Sequence, residues 1–365
     1  MLISGSSGSA RADRDGDVLA VVSQSGPTVS FFDAADDTLL GTLDVPAEPH
    51  ELLWDPVRSV LWCSLAYTGG YYHANAGRRT DILAIDPYAR RVLEVVDLFP
   101  EHAPHGLALD VRRGLLFVSV EGDGHGAEGS GRTGGVVVVD AATREVTGRI
   151  DTGAPGPHWF AADAAGRIGV AANKEAPYVS IVDLHTGAMT GKVEVPGSEG
   201  LAVSPDGARA YVAGPYASFG AADAGKDAAQ APNGVRVIDL AAETVIDVLP
   251  TAGTVLPVHL TAGGKLLAGH TRMSREPGSD IGRHEPGTLT VFDTGTGAEI
   301  GSVEVGVCPL TITSSPDGRL GYVASVVSST VEIVDLESLQ VLNTLSIPRQ
   351  GEPGAHGLAY IPRTD

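Results

Sequence analysis

The chain has 365 residues, with 45 acidic against 25 basic side chains and a formal net charge of -20. A field of that sign repels phosphate backbones and anionic lipid, which excludes nucleic acid and membrane surfaces as expected partners. The composition, with 47 glycines and 5% aromatic residues, suits many short strands joined by turns and argues against long helices.

The amino terminus, MLISGSSGSARADRDGD, has no basic n-region and only a brief apolar start. Residues 1–14 are therefore expected to be a flexible segment and not a secretory leader, and the expected compartment is the cytoplasm. No run approaches transmembrane length. From there the chain reads as alternating apolar runs. DVLAVVSQ, TVSFFD and TLLGTLDV come first as three strands; PHELLWDP then opens a unit that reaches ILAID. PHGLALD, GLLFVSV, VVVVD and EVTGRIDTG form the next unit, and PHWFAAD leads to VSIVD and AMTGKVEV. SEGLAVSPDG and ARAYVAG lead to VRVID, and LPVHLTAGG to LTVFD and AEIGSVEV. TITSSPDG and LGYVAS lead to VEIVD and LQVLNTLSI, and the chain finishes on HGLAYIP.

The landmark is an alternating run ending in Asp, at Asp33, Asp86, Asp140, Asp183, Asp239, Asp293 and Asp335. Each Asp opens a tight hairpin, and carboxylates at strand ends accept backbone N–H bonds in turns, so these seven are read as structural. The landmarks lie about 42 to 56 residues apart, near the repeat length of propeller blades. Four antiparallel strands repeated seven times predict an all-β, seven-bladed β-propeller occupying residues 1–365 as a single domain. The first unit lacks a first strand and the carboxyl terminus is a first strand alone, so the last strand is expected to close the amino-terminal blade. Long loops between second and third strands are expected at residues 66–80, 121–133, 214–232 and 270–286. Cys63 and Cys308 fall in blades that are not neighbours, which predicts no disulfide.

The unit PHGLAL, RGLLFVSV, VVVVDAATREVTGRI resembles the YVTN or YncE-type β-propeller repeat. The likeness runs over essentially the whole chain, and its SPDG and V-x-V-x-D elements are specific for fold. What the resemblance implies is architecture; such propellers include surface-layer proteins, binding proteins and enzymes.

Aligning the first strands on their turns puts His50, His105, His158, Glu199 and His356 at one equivalent position in consecutive blades. The sixth strand of this kind, LPVHLTAGG, does not register securely. Its His259 falls on the opposite parity, and the seventh has Leu310. First strands line a propeller's axis, so the five side chains are expected at one end of the channel, on the face of the long loops. Imidazoles and a carboxylate converging there are the donors of a transition metal ion: iron, copper or zinc, with manganese also suited and a calcium cage not indicated. Beside this stands a plainer reading, in which duplication copied one structural His. Replacement by Glu at one end of the arc and by Leu in another blade favours use. By architecture alone, carotenoid-cleaving oxygenases with four-His iron and nitrous oxide reductase with propeller His near copper are similar.

Further candidates are weaker. His270 and Arg272 in AGHTRMS, and Tyr67, Tyr71, Tyr72 and His73 in AYTGGYYH, start on the same face and could rim a pocket. Glu121, Asp123 and His125 lie in a glycine-rich loop without a dinucleotide fingerprint, and Cys308 precedes a first strand, where a buried inert thiol is expected. GxSxG, P-loop and HExxH motifs are absent. The expectation is a metal-dependent enzyme acting on a small-molecule substrate, with His50, His105, His158, His356 and Glu199 as metal ligands and Glu199, His259 and His270 as catalytic candidates. Thiolate-free, His-rich donors place oxygenase or oxidase chemistry ahead of lyase or cyclase chemistry. A metal-free acid–base lyase and a non-catalytic binding propeller are the alternatives.

Overall fold

The computed structural model describes residues 16–46, 48–69, 77–122, 133–215, 231–275, 282–352 and 354–363. The expectations for residues 1–14, and for Tyr71, Tyr72, His73, Asp123 and His125, fall outside the described residues. Among the described residues there is no helix. Twenty-eight strands form seven four-stranded antiparallel sheets arranged as the blades of a propeller.

The alternation seen in the sequence partitions side chains between two inter-blade cores. In the third blade Val137 and Val139 point one way, packing with Val118 and Val120 against Trp62 and Ile82 of the second blade. Val136 and Phe117 point the other way, onto Phe160 and Val182 of the fourth. Every blade is two-sided in this fashion, because a period of two sends successive residues to opposite faces. The remaining interfaces each have their own apolar cluster, and the ring closes where Leu19, Val21 and Leu358 of the first blade meet Tyr322 and Ile333 of the seventh.

The seven landmark carboxylates act as the turn chemistry requires. Asp140 Oδ1 accepts from the backbone N–H groups of Ala142 and Thr143, both at 2.8 Å, and Asp183 does the same for His185 and Thr186. These bonds hold both carboxyls below the usual range. Asp33, Asp86, Asp239, Asp293 and Asp335 repeat the arrangement.

The last strand, Ala355–Ile361, pairs antiparallel with Val18–Ser23, matching Ile361 to Val18 and Leu358 to Val21. It becomes the innermost strand of the first blade, and the Tyr360 hydroxyl donates to Asp17 at 2.6 Å. The innermost strands of the second to seventh blades are Pro49–Asp55, His102–Asp110, Pro157–Ala162, Leu201–Val203, Val255–Leu260 and Pro309–Ser314.

The sixth blade departs from the expected loop at 270–286. Its second and third strands, Lys265–Arg275 and Gly282–Asp293, stay paired as far as Arg275 and Gly282. Opposite charges face each other in this extension, Arg272 across from Glu285, and Ser274 donates to Glu285 at 2.6 Å. Such cross-strand pairs stabilise a ladder that hydrophobic alternation alone does not announce.

Candidate metal centre

The site is built by β-bulges. In six innermost strands the pairing with the second strand breaks near the entry, between Pro49 and Leu52, Pro104 and Leu107, Pro157 and Trp159, Val255 and Val258, Pro309 and Thr311, and opposite Val21 to Ser23. A bulge leaves a residue unpaired and re-aims its side chain. The residues within these breaks include His50, His105, His158, Leu256, Leu310 and His356.

In the fifth blade Glu199 stands at the matching place, just ahead of the strand. The glycines that follow establish this equivalence. A Cβ on Gly106 would come within 2.6 Å of Phe160 N, and Cβ atoms on Gly200 and Gly357 would collide with the backbone at Leu256 and His50. Adjacent innermost strands therefore touch backbone to backbone, which a side chain would prevent, and the ring residues are drawn together.

The register settles the sixth blade. Leu256 takes the ring position, and His259 lies three residues farther along the strand, where its Nε2 is 2.9 Å from Ser314 Oγ of the seventh blade. Burial alone lowers its imidazole to about 4. His270 is not brought to the cluster either. Its Nε2 lies 3.2 Å from Thr290 Oγ1, tying second strand to third as Asn173 to Ser180 and Ser325 to Glu332 do at the same register in the fourth and seventh blades. His259 and His270 thus have structural partners, and the catalytic candidacy given to them by sequence has no support in their placement.

The other four histidines converge. Ring centroids are separated by 4.1 Å for His356 and His50, 4.6 Å for His50 and His105, and 4.2 Å for His105 and His158. His50, His105 and His158 offer ligand atoms all within 4.8 Å of one another, and so do His50, Glu51 and His356. All four imidazoles are buried.

Each of these rings turns its Nδ1 to a different protein group. His105 Nδ1 donates to Ala103 O at 2.7 Å, a carbonyl presented by a backbone at φ +47°, in the left-handed region that side chains rarely adopt. His158 Nδ1 lies 3.3 Å from Glu199 Oε1, and His356 Nδ1 lies 3.2 Å from Glu51 Oε1. His50 Nδ1 lies 3.3 Å from the Gln24 amide nitrogen. A half-turn of that amide presents its oxygen instead, and amide oxygen and nitrogen are interchangeable in this sense. The bond from His105 Nδ1 to Ala103 O leaves Nε2 as the ligand nitrogen and fixes that ring's orientation, the usual support of a metal-bound imidazole, and the carboxylates beside His158 and His356 stand within ion-pair distance of Nδ1. His50 Nε2, His158 Nδ1 and Glu199 Oε2 are buried and make no hydrogen bond among the described residues.

Electrostatics keep His50, His105 and His158 in the neutral, ligating form. Burial is the main cause for all three. It lowers His105 to about 4 and, with the positive charges of neighbouring rings and Lys174, holds His50 and His158 well below the ordinary histidine value. Burial raises the carboxyls of Glu51 and Glu199, the latter opposed by Lys174, whose Nζ is 3.8 Å from Glu199 Oε1. Glu48, near Gln24, is raised to about 7.

Glu199 therefore faces the outer side of His158, a placement that suits a supporting carboxylate. Tyr67 reaches the cluster as a rim residue: its hydroxyl donates to Glu121 at 2.8 Å and lies 3.5 Å from His105 Nε2, while Arg78 lies 3.7 Å from Glu121. Cys308 is a buried thiol pushed up to about 12, first by burial and then by Glu199, and Cys63 is likewise free and buried. Sequence reasoning passed over Gln24, Glu51 and Lys174. Glu51 carried a signal, a charge inside the otherwise apolar strand PHELLWD. Gln24 and Lys174 occupy the same place, one residue past the end of a second strand in the preceding blade, but as unlike residue types they leave no mark on the repeat.

No family model matches the chain, and no curated protein matches it. Solved structures of similar fold include Kuenenia stuttgartiensis hydrazine synthase, with a TM-score of 0.62 and 15% identity over 82% of this chain and 86% of that one. Another is dihydro-heme d1 dehydrogenase NirN in complex with DHE, with a TM-score of 0.57 and 14% identity over 93% of this chain; this chain spans 65% of that one. A functionally unknown protein from Desulfotomaculum acetoxidans matches with a TM-score of 0.67 and 11% identity over 96% of this chain and 100% of that one. The chain is a seven-bladed β-propeller. At these identities the likeness concerns the fold alone.

Proposed function

We propose that the protein is a metal-dependent enzyme acting on a small molecule at the mouth of its channel, with His50, His105, His158 and His356 holding a transition metal ion through Nε2. The observation that carries this reading is the set of four buried imidazoles, each with Nδ1 turned to a separate outer group. Neutral imidazoles without thiolates suit iron or copper, and zinc accepts the same donors. Such a metal supplies Lewis-acid or redox chemistry when bound. Oxygenase or oxidase activity is the favoured class. Two of the similar folds are named as enzymes, hydrazine synthase and dihydro-heme d1 dehydrogenase, which is compatible with catalysis on this architecture. The YVTN or YncE-type repeat remains our reading of the chain's ancestry.

In this reading Glu51 and Glu199 orient His356 and His158, and Glu199 also accepts a substrate proton. Glu199→Gln should weaken metal binding by about 10–100-fold, as the loss of an outer carboxylate does, and, assayed with metal in excess, turnover should fall by roughly two orders of magnitude, the usual size of a general-base loss. Unchanged turnover in that variant removes the base assignment. The carboxylate–imidazole pairs favour one rival, a metal-free lyase or cyclase using them as acid and base; metal content of the active protein discriminates.

The depressed imidazoles also set a pH dependence. An ordinary histidine is half protonated near 6.5, whereas His105 protonates only at about 4. Protons therefore compete poorly for the site, and bound metal should persist through pH 6 and leave only as the pH approaches the lowered values. Elemental analysis after dialysis across that range reads the release, and loss already complete at pH 6 contradicts the neutral-imidazole site.

A further inference from the structure

The imidazoles are joined at the mouth by an oxygen donor from a different part of the second blade. Tyr67 lies two residues past that blade's second strand, Val60–Leu65, where the chain enters the following loop. The backbone around it is tied down. Tyr67 makes an antiparallel bridge to Arg78, Arg79 N–H donates to Ala66 O at 3.0 Å, and Ala66 N–H donates to Glu48 O at 3.3 Å. The phenol ring stands edge-on to two of the three imidazoles in the close group, its centroid 6.4 Å from that of His50 and 5.6 Å from that of His105.

The protons around the hydroxyl can be assigned. His105 Nδ1 carries the one it donates to Ala103 O at 2.7 Å, so the neutral ring presents a lone pair at Nε2. Tyr67 gives its single proton to Glu121 Oε1 at 2.8 Å, and the 3.5 Å between Oη and His105 Nε2 lies beyond the usual hydrogen-bond range. Glu121 is itself placed by Arg78, whose Nη2 is 3.7 Å from Oε2 and whose Nη1 donates to Gly122 O at 2.7 Å. Two lone pairs therefore face each other with no proton between them. Donors bonded to one transition metal ion at about 2.1 Å stand roughly 3.0–3.4 Å apart in octahedral or tetrahedral geometry, close to the separation of Oη and Nε2.

We propose that Tyr67 is a further ligand of the metal, bound through Oη as a phenolate beside His105 Nε2. As the ion enters, a metal–oxygen bond forms, the Oη–H bond breaks and the proton passes to Glu121 Oε1; no electron is transferred. This rests on the metal reading and narrows it, because a hard anionic oxygen favours ferric iron among the metals that these imidazoles suit. Burial, and after it the Glu121 carboxylate, raise the proton affinity of the phenol. In the metal-free protein the proton therefore stays on Oη, and a cation is needed to displace it.

The test is visible absorption and resonance Raman spectroscopy of protein loaded separately with ferric iron and with Cu(II), with metal content measured on the same samples. Metal-free protein should be colourless. Loaded protein should show a phenolate-to-metal charge-transfer band, and excitation within that band should enhance phenolate ring vibrations. Tyr67→Phe should lose the band completely while metal content at saturation is kept, because the four imidazoles remain. Tyr88→Phe, which alters an exposed tyrosine, should leave the band unchanged. Stoichiometric metal with no such band in either sample, or a band that survives Tyr67→Phe at full strength, overturns the assignment and leaves the imidazole site standing. Protein that binds neither metal overturns it together with the metal reading.

Discussion

Deleting residues 355–365 is expected to unfold or aggregate the protein. The lost strand is the innermost member of the first blade, paired along Val18–Ser23 and buried throughout. Leu358, Tyr360 and Ile361 are all buried, and burial of such side chains is worth about 1.5–3 kcal/mol each, roughly 5–9 kcal/mol together. That is comparable with the entire stability of a typical domain, about 5–15 kcal/mol. The deletion also uncovers the edge of Val18–Ser23 and strips the faces that cover Tyr322 and Ile333, leaving an unpaired strand ready to template aggregation. Thermal melting and light scattering of the truncated chain check this. A truncation that melts with the full-length protein would show that the ends do not share a blade.

His105→Ala or His158→Ala is expected to abolish stoichiometric metal while the propeller stays folded. The two rings sit 4.2 Å apart, within the group of three whose ligand atoms lie within 4.8 Å of one another, so removing either leaves no group of three imidazoles within that span among the described residues. The fold should tolerate the loss because both rings lie outside the seven inter-blade apolar cores. Elemental analysis of protein purified without a histidine tag, after anaerobic reconstitution with iron, copper, zinc and manganese, gives the readout. Wild-type protein that retains none of these metals removes the ligand assignment.

Glu51→Gln makes a smaller test of the outer groups. The amide can still accept a hydrogen bond from His356 Nδ1, 3.2 Å away in the native pair, but it no longer strengthens that imidazole as a donor. Second-shell changes of this type typically cost about 10–100-fold in metal affinity. Competition with a chelator of known affinity measures the change, and an unaltered affinity would show that Glu51 plays no part in holding the metal.

Much of this architecture is a local property of the chain. The alternation in VVVVD or VEIVD sends side chains to two faces, and Asp140 and Asp335 cap their own turns through atoms two and three residues away. Interactions of that range are legible in one dimension, so the blade count, the closing strand and the ring of His50, His105, His158, Glu199 and His356 could be read from sequence. Other features depend on where separate strands meet. Leu256, and not His259, occupies the sixth place because a bulge between Val255 and Val258 sets the register there, and a one-residue slip reverses the face a side chain takes. The partners of the imidazoles come from further away: Gln24 reaches His50 from the preceding blade, and Lys174 reaches Glu199 from the blade before it. Repetition placed the histidines at equivalent points of each blade. Only the packing of blade against blade decided the outer groups beside His50, His158 and His356, because those groups come from a neighbouring blade, whereas His105 takes a carbonyl of its own strand.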